Sequence, residues 1–143
     1  MQHTIGTLQY LTALADGAAS GPPQPSATAG LPQSADELLR VADVAVARWS
    51  RPGALDEKIA SFGGLSGDFM AGIVLGELLV HGWDLAIATG QRLQVDDDVA
   101  DEYLQRISEN FQRQEWAYGP EVESPASATG MDRVAAFLGR KVL

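Results

Sequence analysis

Apolar residues recur at helical spacing through most of this chain. Between His3 and Ala15, the residues Ile5, Leu8, Leu11 and Leu14 fall at intervals of three or close to it. That spacing predicts a helix, and Gly17 ends it by opening a stretch rich in Pro, Gly and Ser. Residues 17–33 are expected to form a flexible loop, longer than most connections in compact domains. Ser34 with Glu37 three residues on has the form of a capping box. It introduces a second helix whose buried face would be Leu38, Leu39, Val41, Ala42, Ala45, Val46 and Trp49, closed by Pro52-Gly53. From Ala54 to Gly67 the pattern shortens, and Gly63-Gly64 offers a turn, so a brief hairpin or an irregular crossover is expected there.

The strongest helical signal starts at Asp68. It runs through Phe69, Met70, Val74, Leu75, Leu78, Leu79, Val80, Trp83, Leu85 and Ile87 to a glycine stop at Gly90. Asp96, Asp97 and Asp98 then sit where carboxylates suit a helix N-terminus, and Val99, Tyr103, Leu104, Ile107 and Phe111 continue helically to about Arg113. A proline-bearing linker from Gly119 to Thr129 leads to a last short helix with Met131, Val134, Phe137 and Leu138. The fold class expected is therefore mostly all-α. At 143 residues the chain is long enough to bury a core as one domain over residues 1–143.

Composition narrows the function classes. The formal charge is -9 and the ten Lys and Arg residues are scattered, so nucleic acid and anionic membrane are not expected partners. The absence of cysteine excludes a disulfide framework, a thiolate metal site and a cysteine nucleophile. The first basic residue is Arg40, so the opening stretch lacks the positive region of a secretory signal, and a cytoplasmic protein is expected. Phe69 to Ala88 is long enough to span a bilayer, but Glu77, His81 and Asp84 interrupt it, which points to a buried soluble helix instead.

Those three polar residues carry the candidate chemistry. At about 100° per residue, His81 lies roughly 40° from Glu77 and Asp84 roughly 20° the other way, so all three share one stripe of an otherwise apolar helix. A solvent-facing stripe would expose Met70 and Val74 beside it, so a polar seam inside a bundle is the expected arrangement. A buried carboxylate needs a compensating cation, and a divalent metal ion provides one while also using a neutral imidazole. Glu77 and His81, at i and i+4, can reach one ion. The third ligand must come from another helix, and His3 is the other histidine in the chain. Two His and one carboxylate, with a position left open, suit zinc, although iron, nickel and manganese accept the same donors. Asp84 is expected to orient a ligand from outside the coordination shell, or to accept a hydrogen bond between helices. Asp96 to Asp98 lack the alternating oxygen ligands of a calcium loop. Gly63-Gly64 with Ser66 and Gly67 lacks the lysine of a phosphate loop.

The segment Glu77-Leu-Leu-Val-His81-Gly-Trp-Asp84-Leu-Ala-Ile-Ala-Thr-Gly90 resembles the metal-helix motif of the DinB-like bundle proteins. The likeness is to the branch that includes mycothiol-dependent maleylpyruvate isomerases and related actinobacterial metal-binding proteins. Tyr118-Gly-Pro-Glu-Val-Glu and Met131-Asp-Arg-Val-Ala-Ala-Phe-Leu-Gly-Arg140 look like that branch's C-terminal segment. In the family an Asn-His-Leu triplet on an early helix gives the first ligand, and Gln2-His3-Thr4 falls at its place with different neighbours. Family members begin with a further helix carrying a Pro-Cys-x-x-Trp signature, and this sequence starts two residues ahead of His3.

The resemblance implies an up-down helix bundle, N-terminally shortened, with His3, Glu77 and His81 as metal ligands. It implies that the gap reflects a truncated start or is covered by a partner subunit, and an exposed core face makes a homodimer the expected state. It also implies mycothiol as a small-molecule thiol partner, and a metal-dependent thiol S-transferase or isomerase as the enzyme class. Two other readings stay open. One is a non-catalytic metal-binding or regulatory protein. The other is a dimerising helical module whose polar stripe pairs with itself.

Overall fold

The computed structural model describes residues 1–21, 30, 34–60, 63–110, 112–115 and 118–142. Among these residues the chain is mostly helical. Its elements are α1 (Gln2–Ala15), α2 (Ala35–Trp49), β1 (Lys58–Ile59), β2 (Leu65–Ser66), α3 (Gly67–Ala88), α4 (Asp97–Asn110) and α5 (Gly130–Phe137). Most of the expected flexible loop over 17–33, together with Phe62, Phe111 and Trp116, lies outside the described residues. The chain separates into two compact units, Met1–His81 and Gly82–Leu143, and α3 continues from the first into the second.

In the first unit the core joins Ile5, Leu8, Leu11 and Leu14 of α1 to Val41, Ala45 and Trp49 of α2, with Ile59, Met70 and Val74. These are the positions, three residues apart, that the pattern predicts for α1. The stripe of α2 is narrower than expected, since Leu39 and Val46 are exposed. Ser34 caps α2 by accepting from the Glu37 amide at 3.1 Å. The Glu37 carboxylate is held elsewhere, accepting from Arg40 Nη2 at 2.7 Å and Nε at 2.8 Å, so the reciprocal half of the capping box does not form. The expected hairpin is present: β1 and β2 pair antiparallel, Lys58 opposite Ser66 and Ile59 opposite Leu65.

One core position of α2 is a charge. Arg48 lies at i+7 from Val41, inside the apolar stripe, with a side chain only 5% exposed. It donates to Asp16 at 2.8 Å, to Glu57 at 2.6 Å and to the Ala15 carbonyl at 2.9 Å. The end of α1 and the approach to β1 are thereby tied to α2. Arg48→Met keeps the apolar stem and removes these bonds. Both carboxylates are 44% exposed and can rehydrate, so the expected loss is about 1–3 kcal/mol rather than that of a fully buried orphan charge. Urea unfolding of the variant beside the parent measures it.

In the second unit, α4 and α5 pack together. Gly130 makes this possible, because a Cβ there would stand 2.7 Å from Ala100 Cβ, and its amide donates to Asp97 Oδ1 at 2.6 Å. Thr129 and Asp132 form a full capping box at the start of α5. The Trp83 indole Nε1 donates to Asp132 Oδ1 at 3.0 Å. Burial pushes the Asp132 carboxyl up, but the bonds from Trp83 and Thr129 and the nearby Arg92 outweigh it and hold the group below its ordinary value. Gly90, at φ +70°, ends α3 in a Schellman turn, with Gln91 N donating to Ala86 O and Gly90 N to Ile87 O.

The sequence reading makes α3 a buried helix, and that expectation needs correction. Met70, Val74, Leu79, Val80 and Trp83 are buried, but Phe69, Leu75, Leu85 and Ile87 are exposed. The apolar character all round α3 exceeds what the described elements cover.

Candidate metal centre

Helix geometry fixes two of the three candidate ligands. Glu77 and His81 are one turn apart on α3, which puts their side chains on the same face. His81 Nε2 stands 3.5 Å from Glu77 Oε2. The third comes from the first turn of α1, where burial of the next residues, Thr4 and Ile5, sets the rotation of the helix. His3 Nε2 stands 3.7 Å from Glu77 Oε1, and the two imidazoles meet edge to face with centroids 5.3 Å apart at 87°. One ligand atom from each residue lies within 4.8 Å of the others. A tetrahedral zinc site with bonds of about 2.0–2.1 Å separates its ligand atoms by roughly 3.3 Å, so small side-chain movements close the cluster on an ion.

The environment grades from inside to outside. The Glu77 side chain is 15% exposed, His81 32% and His3 70%. Burial pushes the Glu77 carboxyl above its ordinary range, while His81 and His3 pull it back down. Glu77 Oε2 is buried without a hydrogen-bond partner. Both His–Glu separations exceed the 2.7–3.2 Å of an ordinary N–H···O bond. A hydrogen-bonded Glu–His pair therefore does not account for the carboxylate. A divalent cation fits, since it compensates a buried anion and uses two neutral imidazoles.

Asp84, one turn beyond His81, accepts from Arg140 Nε at 2.7 Å and Nη2 at 3.0 Å, a two-pronged bond that ties the end of α3 to the segment after α5. Tyr10 donates its hydroxyl to the Gly21 carbonyl, and Trp49 and Trp83 are buried. Arg48 and Arg140 escape a reading by motif. The available signal for Arg48 is its place in an apolar stripe. For Arg140, 56 residues from Asp84 along the chain, the sequence holds no local signal.

No family model matches the chain. It is similar to an uncharacterized protein of Mycobacterium tuberculosis found in two strains, 27% identical over 147 residues that take in 99% of this chain and 78% of the relative. No solved structure matches.

Proposed function

We propose that this chain is a cytoplasmic divalent-metal-binding helical protein, with His3, Glu77 and His81 holding a zinc-class ion and a small thiol as its reaction partner. The observation that carries the reading is the Glu77 carboxylate, buried with one oxygen unpartnered and facing two imidazoles at 3.5 and 3.7 Å. The resemblance of the Glu77–Gly90 segment to mycothiol-dependent maleylpyruvate isomerases supports a thiol S-transferase or isomerase, with mycothiol as the thiol.

When bound, a zinc-class ion supplies Lewis acidity that favours ionisation of a thiol and polarises a carbonyl. The rest falls to the chain. Glu77 supplies the negative charge that retains a dication, and its burial strengthens that attraction by excluding water. His81 is held at a fixed angle to Glu77 by the helix. His3, the most exposed of the three, lies on the side from which a small molecule would approach.

A second reading, a non-catalytic metal-binding module that associates through α3, draws support from the exposed Phe69, Leu75, Leu85 and Ile87. Metal analysis of protein purified without chelator, followed by an assay of mycothiol transfer to maleylpyruvate-like electrophiles, separates the two. Metal at about one equivalent with turnover is the expected result. Metal without turnover favours the second reading, and protein free of metal after zinc addition and dialysis defeats both.

A further inference from the structure

The second unit holds a cleft of about 930 Å³, near the upper end of the range for small-molecule sites. Its apolar lining includes Ile87 of α3, Leu93 of the segment that follows, and Met131 of α5. Its charged lining is mixed: Arg92 and Lys141 against Asp96, Asp97 and Asp132. Counting charges alone would favour a cation. What each group is already doing reverses that conclusion.

Asp132 spends one oxygen on the Trp83 indole and the other on the Thr129 amide. Asp97 spends Oδ1 on the Gly130 amide. Both carboxylates are thus committed to holding α5 in place. The basic residues of the unit divide the other way. Arg133 pairs with Asp101, Arg140 with Asp84, and Arg113 donates to the Phe137 carbonyl. Arg92 and Lys141 make no hydrogen bond or ion pair among the described residues, although Arg92 is near enough to Asp132 to help lower its carboxyl, and both line this cleft. Two cations without a hydrogen bond or ion pair among the described residues therefore face one carboxylate likewise without one, Asp96, beside an apolar wall.

We propose that this cleft binds a small organic oxyanion, a carboxylate or phosphate ester on an apolar body, with Arg92 and Lys141 holding the charge and Ile87, Leu93 and Met131 the body. The site rests on no part of the metal reading. The flexible stems of both cations let them close on an oxyanion of either shape, and charge-assisted bonds are stronger than those between neutral groups.

The test titrates the full chain with four probes on one scaffold: naphthalene carboxylate, naphthyl phosphate, the neutral naphthalene carboxamide and naphthylmethylammonium. The reporter is the indole N–H resonance of Trp83, which lines the cleft and is assigned through Trp83→Phe. One or both anions should bind and shift that resonance, more weakly as salt rises. Arg92→Gln with Lys141→Gln should weaken them by about tenfold or more, equivalent to roughly 1.4 kcal/mol. Both cations are exposed, so the double variant is expected to fold, and an unchanged amide spectrum away from the cleft checks this. Equal binding of carboxamide and anions would show an apolar crevice without charge selection. Preference for the ammonium probe would show that Asp96 governs the cleft. Either result, or no shift with any probe at millimolar concentration, overturns the proposal.

Discussion

Glu77→Gln should lose zinc while the metal-free protein stays at least as stable as the parent. Glutamine keeps the shape of the side chain but removes the one anionic ligand of the set. Loss of a group that merely supports a ligand costs 10–100-fold in metal affinity, so loss of a ligand's charge is expected to cost about 100-fold or more, roughly 2.7 kcal/mol. Competition against a chromogenic chelator reads this directly. In the metal-free protein the same change removes a carboxylate that burial disfavours in its charged form. The folded pKa of Glu77 is raised, so its contribution to stability is complete below the ordinary value of 4.5 and is lost as pH rises through the folded value. Chelator-treated parent should therefore show a downward slope of stability with pH in that window, and Glu77→Gln should flatten it. Zinc affinity within about threefold of the parent, less than 1 kcal/mol, would show that the carboxylate is not a ligand.

Part of this centre can be read in the sequence because helix periodicity fixes it. Glu77 and His81 must share a face wherever α3 goes, and the apolar residues around them say that the face has somewhere to be buried. His3 is different in kind. Its approach to Glu77 depends on how α1 packs, and the sequence supplies only a count: one other histidine exists to complete the set. Its separation of 3.7 Å from Glu77 is a tertiary fact.

Helix ends were legible where a side chain or glycine makes the stop by itself, as at Ser34 and Gly90. The faces of α2 and α3 were less so. Leu39 and Val46 fit the periodic stripe of α2, yet Arg48 occupies the core and they do not, because Asp16, Glu57 and the Ala15 carbonyl together meet a cost that periodicity cannot foresee. The Trp83–Asp132 bond is hidden for a related reason. Asp132 reads as a helix-capping residue, which it is, and its second oxygen is then free to take a partner 49 positions away.

Backbone crowding gives the largest expected change in stability, at the corner where the hairpin enters α3. In a solvent-facing helix interior, Gly→Ala gains up to about 1 kcal/mol, because alanine loses less conformational freedom on folding. Gly82, half-buried in the interior of α3, has room for the same gain: a Cβ there would meet only the Leu93 methyl groups, in ordinary contact at 3.4 and 3.6 Å. Gly82→Ala should therefore raise the unfolding midpoint. Gly67 has the same helical assignment and the opposite outcome. Its Cβ would stand 1.8 Å from the Ala54 carbonyl oxygen and 2.9 Å from the carbonyl carbon. Backbone cannot rotate away as a side chain can, and this stretch is pinned by Gly67 N donating to Glu57 O and Asp68 N to Leu55 O, both at 2.8 Å. Accommodating the methyl means breaking those bonds and lifting Ala54 out of its buried position. The expected cost is about 3 kcal/mol or more, the upper range for overpacking. Urea unfolding of the two variants beside the parent should show midpoints moving in opposite directions. A Gly67→Ala protein as stable as the parent would mean that Ala54 does not abut the start of α3.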